Sequence, residues 1–169
     1  LKQGIAEGEE VVLVKMIIET CAQEKSYNRF YGLLAQRFCN VERRFQEQFE
    51  MNFAEQYNTI HRLDVSKLKL RNVAMLFAHL FYTDALPWTV LEHIRLSEND
   101  TTSSSRIFIK ILFQELSELM GIPKLKKRLE TPELQPYLEG LFPRDILANT
   151  RFAINFFKAI ELDSLTLSL

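Results

Sequence analysis

The chain has 169 residues, and its 21 Lys and Arg against 22 Asp and Glu leave a formal charge of −1 at pH 7 with His neutral. That balance excludes a bulk electrostatic footprint for nucleic acid or an anionic membrane, and a composition 47% hydrophobic and 25% charged excludes disorder as the dominant state. Five Gly and five Pro are about half the average usage, so few sharp turns and long helices are expected, with 13 Phe to be packed between them. One domain is the expected count, of a size that holds a core without staples. Cys21 and Cys39 are too few for a disulfide framework, which makes an intracellular compartment the default. The apolar runs fall short of the roughly 18 residues a membrane span requires. Leu1-Lys2-Gln3-Gly4 carries neither a signal-peptide pattern nor an initiator Met, so the sequence is expected to be excised from a longer chain.

Helical spacing begins at Glu9 and runs to Lys25 through Val11, Val14, Ile18 and Cys21, with Gly8 marking the entry. A second helix spans Asn28 to Phe38, close enough to the first to form a hairpin with it. In the third, Val41 to His61, the residues Val41, Phe45, Phe49, Phe53 and Tyr57 recur every fourth position. At about 100° per residue such a stripe drifts by roughly 40° per step, so this helix should touch different neighbours at its two ends. Asp64 or Ser66 is expected to cap a fourth helix to about Thr83, apolar almost all round from Val73 to Tyr82 and hence central. Pro87 is placed for the first turn of a fifth helix through Ile94, and Leu96 to Thr102 reads as a surface loop. The β-branched run Ile107 to Ile111 suggests a strand locally. Helical spacing continues, however, through Leu112, Leu116, Leu119 and Met120 to a stop at Gly121 and Pro123, so Arg106 to Met120 is read as helix. Short helical pieces follow at Pro123 to Leu129, Pro132 to Leu141 and Asn149 to Leu162. The fold class is all-α, about nine helices in stacked antiparallel pairs.

Reactive chemistry is poorly represented. His61, His79 and His93 are scattered and neither Cys has a His or Cys within a turn, which is not metal-ligand spacing. No nucleophile elbow and no glycine-rich phosphate loop occur. In the run Thr101 to Ser105, Thr102, Ser103 and Ser104 are candidates for a helix N-cap or, alternatively, for phosphorylation at a helix N-terminus. Two basic clusters, Arg62-Lys67-Lys69-Arg71 and Lys124-Lys126-Lys127-Arg128, read as solvated or helix-end charge; contact with RNA phosphate is the alternative, and the second cluster is the candidate for contact with RNA or an acidic partner. In the corner Asp84-Ala85-Leu86-Pro87-Trp88, the lone Trp either fills the core or, exposed beside an acid, anchors a docking partner, which makes Asp84, Pro87 and Trp88 candidate docking residues.

Several stretches resemble a known family: YNRFYGLLAQRFC from Tyr27 to Cys39, EQYNTIHRL from Glu55 to Leu63, LRNVAMLFAHLFYTDALPW from Leu70 to Trp88, the segment Thr101 to Leu125 opening TTSSSRIF, and NTRFAINFF from Asn149 to Phe157. Together these resemble, over most of the chain, the C-terminal MA-three domain of a family of pre-mRNA-splicing factors. The resemblance implies a HEAT-like stack of helical hairpins, a single domain across residues 1–169, and a non-enzymatic, nuclear scaffold of the spliceosome without cofactor or small-molecule substrate. It implies docking on core spliceosomal proteins, the large Prp-eight scaffold first among them. Capture of the exon-junction DEAD-box helicase is implied only for an upstream domain that these residues do not include. The family's first helix would end at Leu1 to Gln3, so apolar surface near Val11 to Ile18 is expected to be covered by chain outside this sequence. Helicase-binding relatives carry an Asp-x-Pro loop, whereas Asp84 to Pro87 has one extra residue. The alternative implied function is a translation regulator that binds the initiation DEAD-box helicase directly.

Overall fold

The computed structural model describes residues 7–62 and 66–169. Among them are seven α-helices and three short 3-10 helices, and no strand. The all-α expectation holds, including at Ile107 to Ile111, where the stripe of Phe108, Ile109, Leu112, Phe113 and Leu116 is buried on one helix.

Helix α1, Glu9–Gln23, enters at Gly8, whose φ of 95° is the left-handed conformation glycine adopts at no steric cost. Its buried residues Val14, Ile17, Ile18 and Cys21 face the core, while Val12 and Met16 stay more than half exposed. Helix α2, Arg29–Val41, starts where the Asn28 side chain accepts a hydrogen bond from the Phe30 amide at 2.9 Å. Helix α3, Arg43–Arg62, follows after a single residue. The every-fourth stripe therefore begins at Phe45, because Val41 closes α2 and is 50% exposed. Phe45, Phe49, Phe53 and Tyr57 are all buried and do change neighbours along the helix. Phe45 meets Phe38 of α2 at 4.7 Å between ring centroids, whereas Phe53 meets Phe77, Phe81 and Phe108 at 5.1, 5.5 and 6.1 Å.

Helix α4, Lys67–Tyr82, is capped by Ser66, whose hydroxyl accepts from the Lys69 amide; the other candidate cap, Asp64, lies outside the described residues. Nine of its residues are buried, because it packs against α1, α2 and α5 together. Two devices seat it. The Asn72 amide nitrogen donates to the carbonyls of Cys21 and Glu24 at 3.1 and 2.8 Å, satisfying the C-terminal end of α1. Gly32 of α2 lies where a Cβ would stand 3.0 Å from the His79 ring and 2.5 Å from the Tyr27 hydroxyl, so α2 approaches α4 only because that side chain is missing.

The fifth helix is a 3-10 helix, η1, Trp88–His93, with Pro87 extended at its N-cap rather than inside its first turn. Three residues per turn eclipse positions i and i+3, which aligns Trp88 with Leu91, 3% and 0% exposed; Val90 is buried beside them, and Ile94, in extended backbone after the helix, is buried as well. The segment Leu96 to Thr102 is not the surface loop its polarity suggests. Leu96, Ser97 and Thr101 are buried, Leu96 N donates to Gly140 O at 2.8 Å, and Thr101 Oγ1 donates to Ser97 O at 2.6 Å. Helix α5, Ser103–Met120, begins three residues earlier than its apolar spacing indicates, because Thr102 forms a reciprocal capping box with Ser105. It stops at Gly121, φ 81°. Helix α6, Ile122–Leu129, then η2, Pro132–Tyr137, α7, Leu147–Ala159, and η3, Asp163–Thr166, complete the stack. Helix α7 ends before Leu162 because Glu161 turns left-handed at φ 64°, and the Leu162 amide donates back to Phe157 O at 2.7 Å.

Candidate docking corner between α4 and α6

The corner after α4 is built by backbone bonds that turn the chain through one tight step. Asp84 N donates to Phe81 O at 3.0 Å and Leu86 N to Leu80 O at 3.1 Å. Asp84 itself sits at φ 58°, a left-handed conformation that short polar side chains tolerate better than most. Ala85 and Leu86 point inward and are buried, Asp84 points out, and Pro87 is half-buried. The ring of Trp88 lies 5.9 Å from that of Phe81, and its indole N–H donates to Phe81 O at 2.9 Å. At 3% exposure Trp88 fills the core, the first of its two readings, so the alternative of an exposed aromatic anchor does not hold, and the surface of this corner is Asp84 and Pro87 rather than the indole.

Arg128 connects this corner to the second basic cluster. Its guanidinium donates to Asp84 Oδ1 at 2.6 Å and Oδ2 at 3.2 Å, a two-pronged pair, while its centre lies 5.0 Å from the Trp88 ring centroid. Two candidate groups that are 44 residues apart in the chain thus form one site. The side chains are 34% and 58% exposed for Arg128 and Asp84, so solvent screens the pair, which contributes at the level of about 0.5–1 kcal/mol. No local signal in the sequence indicates this contact, since neither residue belongs to the other's helix face.

Along α6, Leu125 and Leu129 face the core, Lys124 and Lys127 are exposed and Lys126 is half-buried. Lys126, Lys127 and Arg128 occupy its last turn, where cations complement the helix dipole. Arg128 makes the one ion pair of α6 among the described residues, which leaves the three lysines without an acidic partner. The first basic cluster is different: Lys67 and Lys69 stand in the first turn of α4, where the dipole disfavours cations, so the helix-end explanation fails there and they are simply exposed. The side chain of Arg62 is not among those described. At the start of α5, Thr102 is the cap, Ser103 is exposed and Ser104 half-buried.

The remaining reactive groups are occupied in packing. Burial pushes the thiols of Cys21 and Cys39 up to about 12, so neither supplies a thiolate near neutral pH. His79 bonds through Nε2 to Gln36 Oε1 at 2.8 Å, and burial, with Arg29 adding to it, holds its imidazole below the usual range. Among the described residues no group of three or more His, Cys, Asp or Glu is placed to hold a metal ion, and no helix is long and apolar enough to cross a membrane. At the surface, Asp84 and Arg128 pair at the corner, and Arg128 belongs to the lysine-bearing helix α6.

The fold is an all-helical stack, and the profile of the MA3 domain matches residues 2–87, half of the chain. The chain belongs to the MA3-domain family. Over 166 residues, 98% of the chain, it is 59% identical to the pre-mRNA-splicing factor CWC22 homolog of Mus musculus and 52% identical to that of Drosophila melanogaster. It is 48% identical over the same length to pre-mRNA-splicing factor cwf22 of Schizosaccharomyces pombe. The chain spans 18%, 12% and 18% of those three proteins, respectively, so it corresponds to a minor part of each.

Proposed function

We propose that this chain is a non-enzymatic interaction scaffold of pre-mRNA splicing, a domain that holds a nuclear splicing factor on the core proteins of the spliceosome. The observation that carries this reading is the 48–59% identity, sustained over 98% of the chain, to proteins named as pre-mRNA-splicing factors from mammals to fission yeast. The chemistry supports it, since the exposed groups are ones that grip a surface rather than turn over a substrate. The large Prp-eight scaffold is the proposed principal contact, with the corner of Asp84, Pro87 and Arg128 and the lysines of α6 as the proposed docking face. Capture of the exon-junction DEAD-box helicase belongs in this reading to a separate upstream domain, and RNA contact through Lys124, Lys126 and Lys127 is secondary.

The test is crosslinking mass spectrometry on spliceosomes assembled in nuclear extract with the tagged full-length factor. The expected result is crosslinks from the α6 lysines to core spliceosomal proteins, reduced by Arg128→Glu, which leaves all three reactive lysines in place. If the chain instead binds purified initiation DEAD-box helicase directly and tightly and makes no crosslink within spliceosomes, the translation-regulator alternative is correct and this reading is wrong.

A further inference from the structure

A cleft of about 870 Å³ opens between the end of η1, helix η2, the segment 138–145, the start of α7 and η3. Its floor is fixed by backbone. Leu96 N donates to Gly140 O at 2.8 Å, and a Cβ at position 140 would stand 2.5 Å from the Ile94 carbonyl oxygen, so only glycine lets the two segments meet. The two segments come from parts of the chain more than forty residues apart, which makes the cleft a product of the tertiary fold rather than of one loop.

The lining is asymmetric in charge. Glu92, Asp100, Glu130, Glu139 and Asp145 face it against only Arg95 and Arg144. Several of these groups are already engaged. Asp100 pairs with Arg95 at 3.7 Å and bonds Ser97, Asp145 accepts from the Ile146 amide and from Asn149, and Arg144 donates to Ser168 O. That leaves the exposed carboxylates of Glu92, Glu130 and Glu139, which have no hydrogen-bond or ion-pair partner among the described residues. The lining also carries the apolar side chains of Pro132, Pro136, Tyr137 and Phe142, with Tyr137 39% exposed. Ile146 and Leu147 continue the chain from Asp145, and Leu167 precedes Ser168; at 58%, 65% and 72% exposed they extend apolar surface away from the cleft residues.

We infer that this cleft docks an extended, lysine- or arginine-bearing segment of a partner protein, its cationic side chains meeting Glu92, Glu130 and Glu139 and an apolar side chain resting on Tyr137 and the prolines. Charge complementarity selects the occupant: unpaired carboxylates attract ammonium and guanidinium groups and repel the phosphates of RNA and the side chains of an acidic peptide. Tyrosine and proline add rigid apolar area at low entropic cost, which suits an extended ligand. The inference rests on the interaction-scaffold reading and adds to it a second surface, opposite in charge to α6, with the chemistry of what it takes.

The test is fluorescence anisotropy on the purified chain with a fluorescein-labelled peptide of Arg-Leu-Gly repeats, about 12 residues and roughly 40 Å when extended. Saturable binding is expected. Glu92→Lys combined with Glu139→Lys should weaken it by about tenfold or more, and the neutral pair Glu92→Gln with Glu139→Gln by a smaller factor. A Glu-Leu-Gly peptide should not bind, and an Arg-Ser-Gly peptide should bind more weakly. The control reversal Glu19→Lys with Glu118→Lys, on exposed positions of α1 and α5, should leave the affinity unchanged. Equal weakening by that control, equal binding of the acidic peptide, or saturable binding of a labelled short single-stranded RNA to the chain that the neutral pair Glu92→Gln with Glu139→Gln weakens would overturn the proposal. So would concentration-dependent self-association abolished by the cleft reversal, which would assign the cleft to a second copy of the chain. Because probe and protein are both purified, failure here leaves the spliceosomal assignment intact, and failure of that assignment leaves the peptide measurement standing.

Discussion

Removing the Asp84–Arg128 pair should cost less than its geometry suggests, and a double-mutant cycle with glycine at position 84 separates the reasons. The two-pronged contact at 2.6 and 3.2 Å is well formed, but Asp84 is 58% and Arg128 34% exposed, so the coupling energy from Asp84→Asn and Arg128→Met should be about 0.5–1 kcal/mol. Arg128→Met also loses the cation over Trp88, 5.0 Å from its ring, which adds about 0.5 kcal/mol that Asp84→Asn does not share. Position 84 carries a second, opposed term. At φ 58° a residue with a Cβ is held where glycine sits freely, a cost of about 1 kcal/mol. Asp84→Gly in the native background therefore exchanges a lost pair for relieved backbone and should lie within about 0.5 kcal/mol of the parent. In the Arg128→Met background, where the pair is already gone, the same change should stabilise by about 0.5–1 kcal/mol. Urea unfolding followed by circular dichroism, with the m-value checked for constancy, reads all four corners of the cycle. If Asp84→Gly destabilises equally in both backgrounds, the left-handed corner is not strained and the argument is wrong.

The other predictions concern the interior. Asn72→Ala should cost about 1–3 kcal/mol by leaving the Glu24 carbonyl without its donor, while Cys21 O keeps the Glu24 amide, and Asn72→Asp more, because a carboxylate would face those oxygens; thermal melts of both variants check the order. Phe53→Ala should cost about 3–5 kcal/mol, since the ring touches α4 and α5 at once, and a loss below about 1 kcal/mol in urea unfolding would deny it that central place. Gly32→Ala should loosen the contact of α2 with α4, seen as faster amide exchange in α2, because its methyl would overlap the Tyr27 hydroxyl. His79 is held below the usual imidazole range by burial, so the unfolded chain binds more protons and stability should fall as pH drops from roughly 7 to 5; His79→Gln should flatten that part of the profile.

The parts of this fold that were legible in the sequence are those that bury one continuous stripe. Phe45, Phe49, Phe53 and Tyr57 announce both a helix and its change of neighbours, and the apolar girdle of α4 announces its central place. The capping chemistry at Thr102 is equally local, because cap and helix are adjacent in the chain. The misreadings lie where distant segments decide the outcome. Leu96 to Thr102 is polar enough for a surface loop, and becomes partly buried because Gly140 admits its backbone. Residues Trp88 to His93 have the composition of an α-helix but form one short 3-10 turn set that buries Trp88, Val90 and Leu91 before the chain extends at Ile94. The candidate corner was half visible: its acid, proline and tryptophan stand together in the chain, yet the arginine that pairs with the acid arrives from α6, and the tryptophan is turned inward.

Near-zero net charge describes the sum of this surface and conceals its distribution. Four cationic residues fall within the eight of α6, while five carboxylates line the cleft that begins at its last residue, Leu129, and the next, Glu130. Fields of opposite sign that adjoin at the end of one short helix partly cancel beyond a Debye length of about 8 Å at physiological salt, but act at full strength on anything in contact. A molecule arranged in this way attracts no polyelectrolyte from afar and yet imposes an orientation on a partner that carries both signs. The consequence is measurable in the kinetics of assembly. Raising salt from about 0.05 to 0.3 M should change the association rate only modestly, and charge reversal on α6 or in the cleft, which leaves one sign dominant, should make that rate steeply salt-dependent. A steep fall of the parent chain's association rate with salt would mean that one face steers the encounter from a distance, and that the opposing charges are not acting together.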